Sequence, residues 1–206
     1  KKFLAVAVSA AMTIAMAVPA SAAFAGKDTP ASSTANVTIN NVAPETTGMT
    51  AYSVIKATDD GKGVVTYDLE DWAKEALVGV QYNSADLVTK DTTVTPNTYT
   101  YDINTVITAL GGIVPRTNGQ APQTGNTPTN MKNDIVAKLR AAWTNLSTKP
   151  TVQSYAASLT PDSSSSTTGA QIATFANVKV GYYLVVADDT VNVYNPMTIA
   201  VGLKAN

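Results

Sequence analysis

Apolar and polar positions divide the chain into three regimes. An apolar run, Phe3–Val18, interrupted only by Ser9 and Thr13, follows Lys1 and Lys2 and gives way to Pro19 and two small-x-small triplets, Ala20-Ser21-Ala22 and Ala23-Phe24-Ala25. A basic start, an apolar centre and a small-x-small end make a secretory signal peptide over residues 1–25, with cleavage after Ala22 or Ala25. The run is short for a bilayer span, so contact with the membrane is expected only through this transient segment. Residues 26–35 are small and polar and read as a flexible leader.

From residue 36 the period becomes two. Asn36–Asn40, Met49–Ala57 and Val64–Tyr67 alternate or are rich in branched and aromatic residues, as half-buried strands are. Turn residues separate them at 44–48 and 59–63. The period then shifts toward 3.6. Leu69, Trp72, Ala73, Ala76 and Leu77 form one stripe, predicting a helix near 69–78 with Asp68 as N-cap, Asp71 completing a capping box and Gly79 ending it. A second helix is expected near 102–111, starting at Asp102. A third is expected near 130–147, with Ile135, Leu139, Ala142, Trp143 and Leu146 on one face. Two loops rich in small and polar residues lie at 115–129 and 161–169.

The end of the chain is β again: Ala173–Val178, Gly181–Ala187 and Asn195–Gly202. The continuous apolar run Leu184-Val185-Val186 marks a strand buried on both faces. Strands at both ends and helices between them predict a mainly β fold: a β-sandwich, 36–203, with an inserted α-helical subregion on one side.

Composition narrows the chemistry. About 180 residues remain after residue 25, enough for one domain with a real core. With Lys1 and Lys2 set aside the net charge is −3, which argues against a nucleic-acid partner. The chain has no His and no Cys. Ser-His-Asp and Cys-His catalysis, His-ligated zinc and disulfide stabilisation are thereby excluded. No metal or other cofactor is expected, and no enzymatic activity. Asp59-Asp60 with Gly61 lacks the ligand spacing of a calcium loop and reads as a turn. Trp72 and Trp143 lie on apolar stripes and are expected in the core; Tyr99 and Tyr101 alternate in a predicted strand and could line a surface. Asn36-Val-Thr38 and Asn145-Leu-Ser147 fit the glycosylation sequon, which has meaning only in a glycosylating host.

Three segments resemble a known family. Gly48–Ala57 (GMTAYSVIKA), Asn177–Asp188 (NVKVGYYLVVAD) and Asn195–Val201 (NPMTIAV) are similar, in order and spacing, to strands of Gram-positive sortase-assembled fimbrial subunits, the isopeptide-forming pilins. The resemblance implies an Ig-like sandwich serving as the N-terminal domain of a cell-wall-anchored fimbria. Its partners would be other pilin subunits joined by a sortase, with host surface proteins or glycans as adhesion targets. An adhesin domain contacting the host through loops 115–129 and 161–169 is the alternative. The resemblance also suggests an internal Lys–Asn isopeptide bond, for which Lys56 with Asn192 or Asn195 are the candidates. Their plainer reading is a solvated strand lysine and two turn residues. Lys204 is the candidate for sortase linkage, although the family's linkage motif is not present around it. The family's sorting signal is also absent, and further domains are expected beyond residue 206.

Overall fold

A computed structural model describes residues 14–15, 32–59, 65–111, 113–114, 123–124, 129–188 and 197–202. In chain order its elements are β1 (Ile14–Ala15), β2 (Thr34–Val42), β3 (Gly48–Asp59), β4 (Val65–Leu69), α1 (Asp71–Leu77), β5 (Gln81–Tyr82), β6 (Ala85–Asp86), β7 (Thr89–Asp91) and β8 (Thr98–Thr100). There follow α2 (Ile103–Ala109), β9 (Ile113–Val114), β10 (Gln123–Thr124), α3 (Thr129–Asn145), β11 (Ser154–Ala156), β12 (Ser158–Pro161), β13 (Gln171–Lys179), β14 (Gly181–Asp188) and β15 (Met197–Val201).

The fold is mainly β. Two antiparallel sheets dominate, one ordered β1-β2-β13-β12 and the other β11-β3-β14-β15. The twelve-residue β3 is the spine of the second sheet. One of its edges pairs with β14 over its length; the other is shared by β11, opposite Thr50–Tyr52, and β4, opposite Ile55–Asp59. Early strands therefore pair with late ones, β2 with β13 and β3 with β14, as strands at both ends require.

Two separate apolar clusters explain the layering. Val37, Ile39, Val42, Ala173, Phe175 and Val178 of the first sheet meet Met49, Ala51, Tyr183, Val185, Ile199 and Val201 of the second. On the other face of the second sheet, Val54, Ile55, Tyr182 and Leu184 pack against Trp72, Leu77, Ile107, Ile135, Leu139 and Trp143 of the helices. Strand β14 thus has both faces buried, alternating Tyr182 and Leu184 toward the helices with Tyr183 and Val185 toward the other sheet. Each such side chain contributes about 1.5–3 kcal/mol by leaving water, so this strand belongs to two cores at once.

The helices are held by aromatic packing and by their ends. Trp143 of α3 stacks 4.3 Å from Tyr52 and meets Trp72 of α1 edge-on at 4.9 Å. The Trp72 indole N–H donates to the Ser53 carbonyl at 2.9 Å, which satisfies its polar atom inside the core. At the C-terminus of α3 the Lys149 ammonium donates to the carbonyls of Trp143, Thr144 and Leu146 and lies 5.6 Å over the Trp143 ring. It adds a partner to carbonyls of the last turn, of which that of Trp143 also accepts from the Leu146 N–H, and opposes the negative helix end.

Several expectations require correction. Asp68 does not cap α1: it lies in β4, and the cap position is Glu70, whose side chain makes no capping bond. The reason is tertiary, since Lys56↔Asp68 and Ile55↔Leu69 pairing draws both residues into the sheet. Leu69 is buried from a strand rather than from the helical stripe. Asp102 does cap α2, accepting from the backbone N–H groups of Asn104 and Thr105. Helices expected near 69–78, 102–111 and 130–147 span 71–77, 103–109 and 129–145.

Strands β11 and β12, in a segment between the third helix and the 161–169 loop for which no element was expected, complete an edge of each sheet. That loop is not simply exposed: Asp162 is buried and accepts from the backbone N–H of Asn41 and from the N–H and hydroxyl of Ser164. Within 115–129 only β10 and the first residue of α3 are described.

Gly181 begins the Gly-Tyr-Tyr segment for a steric reason. Its φ is +156°, and a Cβ there would stand 2.7 Å from the Ile55 carbonyl oxygen. The neighbouring backbone cannot give way without breaking the β3–β14 ladder. Gly181→Ala is expected to destabilise the domain by about 1–3 kcal/mol, read as a lower urea midpoint with an unchanged m-value.

Candidate functional site

The β3–β4 hairpin gathers charged side chains at the start of α1. Lys56 on β3 lies directly opposite Asp68 on β4, and Glu70 follows where the strand turns into the helix. The Lys56 Nζ stands 4.0 Å from Asp68 Oδ2 and 3.8 Å from Glu70 Oε2. Glu70 is the more enclosed partner, with 14% of its side chain exposed against 45% for Lys56. Its other carboxylate oxygen accepts from the Ser53 hydroxyl at 2.8 Å.

Lys74, one turn into α1, closes the cluster from the helix side. Its Nζ lies 3.0 Å from Asp71 Oδ1 and 3.6 Å from Asp68 Oδ2. Burial alone lowers the Lys74 pKa, but the Asp71 hydrogen bond and the charges of Asp68, Tyr101 and Asp71 outweigh it and hold the ammonium above its ordinary value. The Tyr101 hydroxyl donates to Asp68 Oδ1. Burial, followed by that hydrogen bond, raises the Tyr101 pKa.

A second cluster joins α1 to the β7–β8 hairpin. Lys90 Nζ donates to Glu75 Oε1 at 2.8 Å and Tyr99 donates to Glu75 Oε2 at 2.6 Å. The hydrogen bond from Lys90, then that from Tyr99, lowers the Glu75 pKa. Tyr99 and Tyr101 therefore do more than line a surface: each pins a small hairpin or its exit to a carboxylate at the α1 end of the molecule.

These clusters are suited to holding elements together. Among the described residues, no group of three or more Asp or Glu is disposed to hold a metal ion, and no helix is long and apolar enough to cross a membrane. Of the sequence-derived candidates, Lys56 is described; Ala22, Ala25, Asn192, Asn195 and Lys204 lie outside the described residues. Lys56 is half exposed and faces two carboxylates, as a solvated strand lysine would. Sequence reading missed Asp68 and Glu70 as its partners. The hairpin carried only part of the signal: a turn over 59–63 places residue 56 opposite residue 66, whereas the observed register is shifted by two and sets Lys56 opposite Asp68.

No protein family, curated protein or solved structure matches the chain significantly.

Three outcomes follow from this geometry. Lys56→Met should change stability by no more than about 0.5 kcal/mol, because exposed ion pairs contribute little. The intact mass should be that of an uncrosslinked domain; a mass short by one ammonia in wild type and restored in Lys56→Met would overturn the solvated-lysine reading. Glu75 and Asp102 both have pKa values below their ordinary 4.5 and 3.8, the latter chiefly through the Thr105 hydroxyl. A depressed carboxylate contributes stability that is present above its unfolded pKa and lost as pH falls through its folded value. Urea midpoints should therefore decline below pH 4.5 in wild type, and less steeply in Glu75→Gln.

Proposed function

We propose that this chain is a structural domain of a cell-surface fibre subunit, exported by its N-terminal segment and joined to like subunits by a sortase, with no catalytic turnover. The observation that carries the reading is the placement of the family-like segments. Gly48–Asp59 and Gly181–Asp188 are neighbours at the centre of one sheet, paired from Gly48↔Asp188 to Lys56↔Gly181, with Met197–Val201 on the far side of Gly181–Asp188. Three segments that resemble fimbrial strands one by one are thus also hydrogen-bonded neighbours.

The mechanical logic of such a part agrees with the packing. A fibre component must hold its shape outside the cell without disulfides. Here β14 is locked on both faces by apolar burial and on both edges by backbone ladders, so extracting it would disrupt two cores together. In this reading the sandwich is Ig-like, the helices thicken one face of it, and Lys204 is the candidate amine for the fibre bond. Other subunits are its partners, and host proteins or glycans are contacted by the assembled fibre.

Wall digests of the producing cell, probed with antibody to this domain, should give a ladder of bands that survives boiling in detergent. Removing the sortase should collapse it to a single subunit band. Antigen found only as free monomer in the medium, with the sortase intact, would sink the proposal.

A further inference from the structure

The outer edge of β2 is a strand-accepting edge. Residues Thr34–Val42 (TANVTINNV) form a nine-residue edge strand with no charge, no Pro and no Gly, unbroken from Thr34 to Ile39 and bulged at residues 40–41. Proteins ordinarily guard such edges with Lys, Pro or shortness. Among the described residues, the other edges of the two large sheets are guarded or brief: β12 has four residues and ends in Pro161, β11 has three, β4 carries the ion-paired Asp68, and β15 has five. Among the described residues, what occupies the β2 edge is β1, with Ile14 opposite Ile39 and Ala15 opposite Thr38 in antiparallel register.

Strand β1 lies inside the apolar segment that export is expected to remove. Cleavage after Ala22 or Ala25 would strip the added strand and leave its hydrogen-bonding groups on β2 open. We propose that in the processed protein this edge is taken by the β2 strand of a second copy, giving a two-fold dimer whose first sheets join edge to edge.

Three observations favour that occupant. The edge accepts an antiparallel strand, and pairing of a strand with its own copy about a two-fold axis is antiparallel by symmetry. A strand facing itself must carry no charge, or like charges would be juxtaposed, and Thr34–Val42 carries none. The residues that hold β1, Thr38 and Ile39, lie in the regular stretch Thr34–Ile39, before the bulge at residues 40–41 where Asn41 has φ +58°. Val37 and Ile39 are buried against the opposite sheet and Thr38 lies on the outer face between them. An axis at Thr38 therefore sets Thr38 against its copy without disturbing the core. This inference rests on removal of the N-terminal segment and stands apart from the fibre reading: the dimer could form whether or not a sortase acts on the chain.

The test uses the exported, processed chain, with intact mass first establishing its N-terminus. Sedimentation equilibrium over a concentration series should show the mass doubling, and Thr38→Lys should return it to monomer, with the same thermal unfolding curve as wild type at concentrations where both are monomeric. If Thr38→Lys fails to fold, Thr38→Cys decides: the chain has no other Cys, so mild oxidation should give a covalent dimer, since directly opposite Cβ atoms lie about 4.5–5.5 Å apart. A monomer at every concentration, a dimer unaffected by Thr38→Lys, no crosslink in Thr38→Cys, or a processed chain that retains residues 14–15 would overturn the proposal.

Discussion

Burial of β14 on both faces is the constraint on which the rest depends. A strand can be apolar on both sides only if a layer covers each side. One layer is the β2–β13 sheet and the other is the set of helices, so the three-tier arrangement follows from the composition of one eight-residue segment. Tyr182 and Tyr183 are adjacent and point into different cores, where the hydroxyl of Tyr182 donates to Thr198 and that of Tyr183 to the Lys179 carbonyl. Burial holds both phenols well above their ordinary pKa, so they remain neutral hydrogen-bonding core residues. Gly181 belongs to the same constraint, since β14 can approach β3 this closely only where no side chain intervenes.

The charged groups follow from that packing. Once β3 is fixed between β14 on one edge and β4 with β11 on the other, the hairpin register sets Lys56 against Asp68 and brings Glu70 to Ser53. Helix α1 begins there because its Trp72 must reach the Ser53 carbonyl and Trp143. The polar clusters therefore orient short elements that are too small to be stable alone: a seven-residue helix and a hairpin of three residues per strand. Among the described residues, β2 offers the long uncharged edge, and there β1 adds a further strand.

Much of this was legible in the residues, because burial leaves a periodic trace. The stripe Ile135, Leu139, Trp143 predicted α3, and the run Leu184–Val186 predicted a doubly buried strand; in both cases the apolar spacing is the packing. Asp102 was readable as a cap because its bonds are local, reaching only Asn104 and Thr105. Asp68 misled for the complementary reason. Its neighbourhood has the spacing of a capping box, but pairing with Lys56 twelve residues earlier outweighs a local bond of about 1 kcal/mol. Strands β11 and β12 left no trace, since their residues are mostly exposed and owe their conformation to the edges they join.

The sequence by itself thus determined the class of fold, the identity of the central strand and the absence of histidine and thiol chemistry, because those depend on composition and on periodicities of two and 3.6 residues. Only the tertiary structure decided which carboxylates face Lys56, that Asp68 serves the sheet and not the helix, that the 161–169 loop is tied down at Asp162, and which strand edge β1 joins. Those properties depend on residues far apart in the chain and on backbone groups whose partners no local pattern encodes.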